Sequence, residues 1–384
     1  MRIGIVGARL AGSYASLLLS QAGHEVLLMD DSLEREKPCG GGVTGKALES
    51  MAWFREHPLP HNEIRKMRVF TRNGRAADVH LRTPIYIFSR TTLDSSLREA
   101  ACRAGTRLFR ERAVGFQELA RGWVIRTTQT CHEVDLLIGA DGAASTVRAA
   151  TAGKFVAGDL SLALGFYLPA SYHPDTILTE LQEGGFHGYL WSFPRVDHTS
   201  VGILRWLPHT NSAELRQRVL TFISIRYPDA GQGMPFYAAR IPCLSCRKLM
   251  HQPVCGKNWA LLGDAAGFTD AITAEGIHYA LRSAELLTQA VATGTPQYYE
   301  SLWKQDFGGQ LRKAAEWRDR FYGGTFLFET FTKRAVQTLR RSSTVRELTD
   351  ALISGRSNYE RLRRQIILKS PRILLEALAD KLLG

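Results

Sequence analysis

The sequence predicts an α/β chain in which a parallel-sheet domain is interleaved with an antiparallel-sheet domain and followed by a C-terminal helical segment. Three observations lead there. The first thirty residues run apolar strand, Gly-rich turn, helix, apolar strand, acid. Between about 155 and 245 the texture changes to short β-branched and aromatic runs separated by Pro, Gly and Asp. The α/β texture then returns at Trp259 and gives way to helix-forming sequence from about 298. Because α/β texture brackets the β-rich segment, the first domain must be discontinuous. The expected boundaries are 1–60, 85–150 and 250–297 for it, 61–84 and 151–249 for the antiparallel sheet, and 298–384 for the helical segment.

Each element has a local reason. Arg2–Val6 is a short apolar run. Ala15, Leu18 and Leu19 recur at helical spacing over 12–22, and Glu25–Met29 is a second apolar run ending at Asp30. Lys37–Thr44 (KPCGGGVT) is a Gly-rich loop. Leu93, Leu97 and Ala101 share one face of a helix over 91–104, and Val134–Gly139 is an apolar run ending at Asp141. Ser200–Trp206 reads as a strand. Trp259–Leu262 reads as a buried strand entering Gly263-Asp264-Ala265-Ala266-Gly267, and Ala280, Ala284, Leu287 and Val291 mark the helix that follows.

Composition narrows the class. With 45% hydrophobic and 22% charged residues the chain is globular rather than disordered or collagen-like. No stretch approaches the roughly 18 apolar residues of a spanning helix, and the N-terminus opens into a strand rather than a secretory signal. Six cysteines do not make a disulfide framework in a chain of this length. A cytoplasmic protein is expected. The net charge is +12, and 301–384 carries 17 Lys+Arg against 9 Asp+Glu, so +8 of the excess sits in the tail. A basic helical tail points to peripheral contact with an anionic membrane surface; nucleic acid is not expected.

The turn Gly7-Ala8-Arg9-Leu10-Ala11-Gly12 carries the first and third glycines of a dinucleotide fingerprint, with Arg9 in place of the second. Such a Rossmann-like turn sets amides and a helix N-terminus against a pyrophosphate. Arg9 must therefore turn its side chain away from the turn or lay it beside the phosphates. Asp30, at the end of the second strand, is placed to accept ribose hydroxyls.

Asp135–Arg148 reads DLLIGADGAASTVR and Gly263–Ile277 reads GDAAGFTDAITAEGI. With the turn at 7–12, these resemble the three signatures of the p-hydroxybenzoate-hydroxylase type of FAD enzyme. Within that fold, KPCGGGVT and Tyr189–Arg195 (YLWSFPR) resemble the geranylgeranyl reductase family. The resemblance implies FAD as cofactor, with NAD(P)H or another reductant as electron donor. It places Gly7, Ala11 and Gly12 at the pyrophosphate, Asp30 at the ribose, and Cys39, Gly40 and Gly42 in the loop beside the flavin. It places Arg90 on FAD, Val114 at the adenine through its backbone, and Asp264 at the ribityl and pyrophosphate region. Asp141 belongs to a motif that serves both flavin and nicotinamide, although Ile138 and Ala144 depart from it. Gly276 and Ile277 fall at the flavin's pyrimidine edge, where a helix N-terminus suits the charge of reduced flavin; Thr273 is the expected cap. Ala271 and Ala274 replace a Pro and a Gly of the family's run, and a positive φ at 274 would strain an alanine.

The implied chemistry is reduction of an isoprenoid C=C bond. It needs a hydride at one carbon and a proton at the other, and Cys39 is the candidate donor because thiols as a class carry their proton at neutral pH. Tyr189, Trp191 and Phe193 alternate along a strand and so share a face; Tyr189 and Trp191 are the candidate wall for an apolar substrate, an isoprenoid or another hydrophobic small molecule. A flavin-dependent monooxygenase, hydroxylase or halogenase, acting on an aromatic or polyketide-like molecule is the alternative. Cys243, Cys246, His251 and Cys255 fall one residue short of zinc-knuckle spacing and lack its turn glycine, so no metal is expected. In the tail, Phe321, Tyr322, Phe326, Phe328 and Phe331 cluster, and Ile373, Leu374, Leu378 and Leu382 give 371–383 an amphipathic pattern.

Overall fold

The computed structural model describes residues 1–182, 185–326 and 329–383, with the backbone alone at 46, 50, 52, 209, 326, 329 and 378–383. Phe328 therefore lies outside the described residues, as do the side chains of Phe326, Leu378 and Leu382. The principal strands are β1 (Arg2–Val6), β2 (Glu25–Met29), β3 (Gly42–Thr44), β4 (His61–Thr71), β5 (Ala76–Phe88), β6 (Arg107–Phe109), β7 (Ala113–Glu118) and β8 (Trp123–Thr127). They continue as β9 (Cys131–Val134), β10 (Leu136–Gly139), β11 (Leu160–Leu168), β12 (Thr176–Leu181), β13 (Tyr189–Pro194), β14 (Thr199–Trp206), β15 (Phe236–Pro242) and β16 (Trp259–Leu261).

The chain divides into two units, 1–37 with 90–160 and 240–315, and 38–89 with 161–239 and 316–384. These stretches differ from the expected boundaries: 38–60 and 85–89 fall in the second unit, and 151–160, 240–249 and 298–315 in the first. Residues 38–60 belong to the second unit because β3 pairs with β5. Residues 298–315 belong to the first, where Trp303 and Phe307 pack on Phe268 with ring centroids 4.9 and 5.0 Å away.

The first unit is built on a five-stranded sheet of order β16-β10-β1-β2-β6, parallel throughout. Its strands are near-continuous apolar runs, as a sheet covered on both faces requires. The helices Leu10–Gln21, Arg90–Arg103 and Ile277–Ala292 pack together on it. The small antiparallel sheet β7-β8-β9 is also part of this unit. A side chain at Gly4 of β1 would meet Ile125 and Val134 of that sheet.

The second unit contains an eight-stranded sheet of order β15-β11-β14-β13-β12-β4-β5-β3. It is not purely antiparallel as expected: β12 runs parallel to β4. The helix Ser212–Arg226 also lies inside the segment read as strands. Leu215, Val219, Phe222 and Ile223 recur at helical spacing and pack on Phe166, Leu190, Val201 and Ile203, and Asn211 caps the start through the amides of Ala213 and Glu214. The β-branched content of VLTFISI masked that period. Elsewhere in this unit, Val336 and Leu339 of the helix Phe331–Arg341 pack against Ile64, Val79, Ile85 and Ile87. Among the described residues no helix is long and apolar enough to cross a membrane.

Candidate active site

The polar residues singled out in the first unit gather at the carboxyl ends of its parallel strands. Gly7 follows β1, Asp30 follows β2, Asp141 follows β10, and Gly263-Asp264 follow β16. Backbone bonds stitch these ends together: Gly7 N to Met29 O, Ala140 N to Val6 O and Leu262 N to Gly139 O, at 2.8–2.9 Å. The chain leaves β1 toward β2 on one side and returns to β10 on the other. That switch point is where open parallel sheets take nucleotide ligands.

The turn after β1 is closed tightly by glycine. A Cβ on Gly12 would lie 1.8 Å from the carbonyl oxygen of Gly7, so the helix start packs against the strand end only with glycine there. The helix Leu10–Gln21 has no side-chain cap and no acid in its first turn, which leaves its N-terminus free for an anion. Arg9 turns its guanidinium away, to the carbonyls of Ser32 and Arg35 and to within 3.6 Å of the Asp94 carboxylate. Asp30 accepts from Ala8 N at 2.8 Å on Oδ2 and from Ser32 N and Oγ on Oδ1, fixing the acid beside the turn.

Asp141 Oδ2 accepts from the amide and hydroxyl of Thr146 at the start of the helix Thr146–Thr151, whose cap residue is Ser145; its buried Oδ1 has no partner among the described residues. Burial pushes its carboxyl above the ordinary range, against the bonds from Ser145 and Thr146. An orphaned carboxylate oxygen beside the turn suits a ligand hydroxyl. Asp264 receives Lys37 Nζ at 2.9 Å on Oδ2. A Cβ on Gly276 would lie 3.3 Å from its Oδ1, so the start of the helix Ile277–Ala292 and this acid are neighbours. Arg90 is fully buried and holds Asp94 through Nε and Nη2 at 2.8–3.1 Å. Val114 is 58% exposed and lies where the β7–β8 register shifts, so it has no cross-strand partner residue.

The turn before the second helix differs from expectation in one respect. The helix begins at Ile277 with Gly276 as its cap residue, and Thr273 does not cap it. Thr273 Oγ1 instead accepts from Glu275 N at 3.3 Å, and the helical amide of His278 donates to Glu275 Oε1 at 3.1 Å. Asp270 organises the turn, its Oδ1 accepting from Ile272 N and Thr273 N at 2.9 Å. Burial drives the Glu275 carboxyl up to about 7, with Asp270 adding to the rise and the His278 amide opposing it. Ala274 has φ +57°, the left-handed conformation that alanine resists. Ala274→Gly relieves that strain, offset in part by the greater freedom of glycine when unfolded. The net gain should be about 0.5–1 kcal/mol. Calorimetry checks it as a Tm rise of about 1–3 °C.

The loop at 38–42 and the aromatic strand β13 lie in the second unit. Cys39 O accepts from Arg195 Nη2 and Ser200 Oγ, Arg195 being fully buried. Cys39 Sγ accepts from Gly41 N at 3.3 Å, which leaves its S–H to donate elsewhere. Gly41 has φ +84°, and a Cβ there would lie 2.3 Å from Phe88 O. One on Gly40 would touch the Phe193 ring at 3.0 Å, and one on Gly42 would approach the same ring at 3.5 Å. Glycine thus lets the loop lie flat on Phe193. Along β13, Leu190 and Ser192 face the helix Ser212–Arg226, Ser192 bonding Tyr227. Tyr189 and Trp191 contact edge to face at 6.0 Å, and the indole N–H of Trp191 is buried without a partner among the described residues.

Sequence reasoning missed Lys37, Asp94, Asp270, Glu275, Ser200 and the anchoring role of Arg195. Asp270 had a local signal, an acid two and three residues before the amides it holds. Lys37 and Ser200 act across long sequence separations and had none. Among the described residues, no group of three His, Cys, Asp or Glu is arranged to hold a metal.

Residues 1–165 match an FAD-binding-domain family model. The chain is 26% identical over 361 residues to geranylgeranyl diphosphate reductase of Arabidopsis thaliana, covering 85% of this chain and 72% of that one. It is 26% identical to digeranylgeranylglycerophospholipid reductase 2 of Methanothermobacter thermautotrophicus, covering 82% and 86%. Among solved structures, a geranylgeranyl bacteriochlorophyll reductase-like protein of Thermoplasma acidophilum matches with TM-score 0.75 and 20% identity, covering 95% and 98%. The flavin-dependent brominase Bmp2 shares the fold with TM-score 0.65 and 16% identity, covering 92% and 94%. With an FAD-binding domain matched over residues 1–165 and relatives matched over most of its length, the chain is an FAD-binding-domain protein similar to geranylgeranyl reductase-type FAD-dependent oxidoreductases.

Proposed function

We propose that this protein reduces C=C bonds in the isoprenoid chain of a geranylgeranyl lipid or a related hydrophobic molecule. The observation that carries the reading is the set of acids and amides at the carboxyl ends of β1, β2, β10 and β16, in a chain matched over 85% of its length by a reductase of such chains.

FAD, once reduced by NAD(P)H or another donor, supplies the hydride. Gly7, Ala11 and Gly12 receive its pyrophosphate, with Asp30 on the ribose. Asp141 and Asp264 accept hydroxyls along the chain between its rings, and the amides at Gly276 and Ile277 face its pyrimidine edge. Val114 offers its backbone to the adenine. Arg90 contributes through Asp94, which also holds Arg9 of the turn. Cys39, Gly40 and Gly42 form the loop at the flavin.

Cys39 delivers the proton to the carbon opposite the hydride and is reprotonated from water, so each bond reduced gains two hydrogens. Tyr189 and Trp191 wall the apolar chain, the Trp191 N–H giving that wall one polar handle. Peripheral contact with an anionic membrane belongs to the same reading, supported by the +8 charge of 301–384. The brominase likeness is one of fold and favours no second chemistry.

Product mass tests the reading. Dithionite-reduced protein incubated with detergent-dispersed geranylgeranyl lipid should yield lipid heavier by two hydrogens for each bond reduced. Unchanged lipid alongside a fully flavinated protein would overturn it.

A further inference from the structure

Thirteen large apolar side chains are exposed among the described residues, and five of them fall within ten residues of the tail: Ile366, Ile367, Leu368, Leu374 and Leu375. Leu368 is 78% exposed and Leu375 68%. They lie on either side of one corner, where the helix Tyr359–Leu368 ends and the helix Ser370–Leu383 begins. A concentration of this kind marks a contact surface rather than ordinary scatter.

The corner is held from its inner side. Tyr359 is buried, with its ring 5.7 Å from Trp317. Glu376 reaches back to the start of the helix Ser343–Ile353, accepting from the hydroxyls of Ser342, Ser343 and Thr344 and from the amide of Thr344. Burial opposes its charge, but those donors and Arg372 hold the carboxyl down to about 2. An ionised Glu376 thus anchors the second helix, and the apolar residues before it are left facing solvent.

The surroundings say what should cover them. Residues 359–376 carry five cations, Arg361, Arg363, Arg364, Lys369 and Arg372, against Glu360 and Glu376. Glu360 is paired with Arg364, and Glu376 is spent on its anchor. An isologous contact between two copies would bring these cations against themselves. A negatively charged lipid surface suits both features, since it takes the apolar corner between headgroups while the long basic side chains reach the phosphates.

We propose that the corner formed by Ile366–Leu368 and Leu374–Leu375 is the docking surface of this protein on an anionic membrane. This names the surface for the membrane contact proposed above and rests on that part of the reading. Vesicle binding is measured without turnover, so it fails or succeeds separately from alkene reduction.

The flavin-loaded full chain is sedimented with vesicles of phosphatidylglycerol and phosphatidylcholine, and with phosphatidylcholine alone. Binding should be about a hundredfold tighter to the anionic vesicles and should weaken as salt rises. The double variant Leu368→Ser, Leu375→Ser should bind at least ~10-fold more weakly, and Arg363→Gln, Arg364→Gln should abolish the preference for anionic lipid. Flavin content and turnover on detergent-dispersed lipid should stay unchanged in both variants. Absence of vesicle binding, or binding that neither variant alters, overturns the assignment. So does a wild-type dimer that the Leu variants convert to monomer while vesicle binding is unchanged.

Discussion

Asp264→Ala should strip the protein of its flavin. On the proposed assignment the carboxylate accepts hydroxyls of the cofactor while Lys37 Nζ, 2.9 Å away, fixes its orientation. Alanine removes that acceptor and leaves the Lys37 ammonium without this carboxylate. A hydrogen bond to a charged group is worth about 1.5–3 kcal/mol, and the loss of the ion pair adds to it. At about 1.4 kcal/mol per tenfold, FAD affinity should fall by a factor on the order of 100 or more. The flavin-to-protein ratio after desalting should therefore drop from near unity toward zero, with Asp264→Asn intermediate because one acceptor remains. A fully yellow Asp264→Ala protein would show that this acid does not contact the cofactor, and would return the role to Asp30 and Asp141.

Cys39→Ala should do the reverse, keeping the flavin and losing the reaction. The loop is held by the backbone carbonyl of residue 39, bound by Arg195 and Ser200, and by the packing of Gly40 on Phe193. These do not depend on the thiol, whose own contact in the loop is the long bond from Gly41 N at 3.3 Å. Removal of a positioned proton donor costs about 10²- to 10⁴-fold in rate. Alkene reduction should fall by that much while reduction of the flavin by its electron donor is unaffected. Cys39→Ser should lie between, since a hydroxyl donates less readily than a thiol. Full turnover in the alanine variant would reduce Cys39 to a small residue in a tight loop.

The parts of the fold legible in the sequence were those set by local pattern. The order β1, helix, β2 and acid could be read because a buried parallel strand is one apolar run and a Gly turn sets its exit. The strain at Ala274 could be read because an alanine stood where the family's run has a glycine, and the φ of +57° bears it out. Long-range partners were not legible. Nothing near Lys37 points to Asp264, more than two hundred residues away, and nothing in Thr176–Leu181 says that it pairs parallel with β4. The helix Ser212–Arg226 was missed for another reason, since its apolar period was present but built from residues that favour strands. Thr273 was misplaced because Asp270 competes for the same turn and takes the amides of residues 272 and 273.

The central claim is that reduced flavin in this protein passes its electrons to an isoprenoid C=C bond. The most direct measurement reduces the bound flavin without oxygen, adds a geranylgeranyl lipid, and follows flavin reoxidation together with lipid mass. Reoxidation that depends on the lipid, with two hydrogens gained for each flavin oxidised, is the expected result. Reduced flavin that stays reduced in the presence of the lipid, and is reoxidised only when air is admitted, would contradict it.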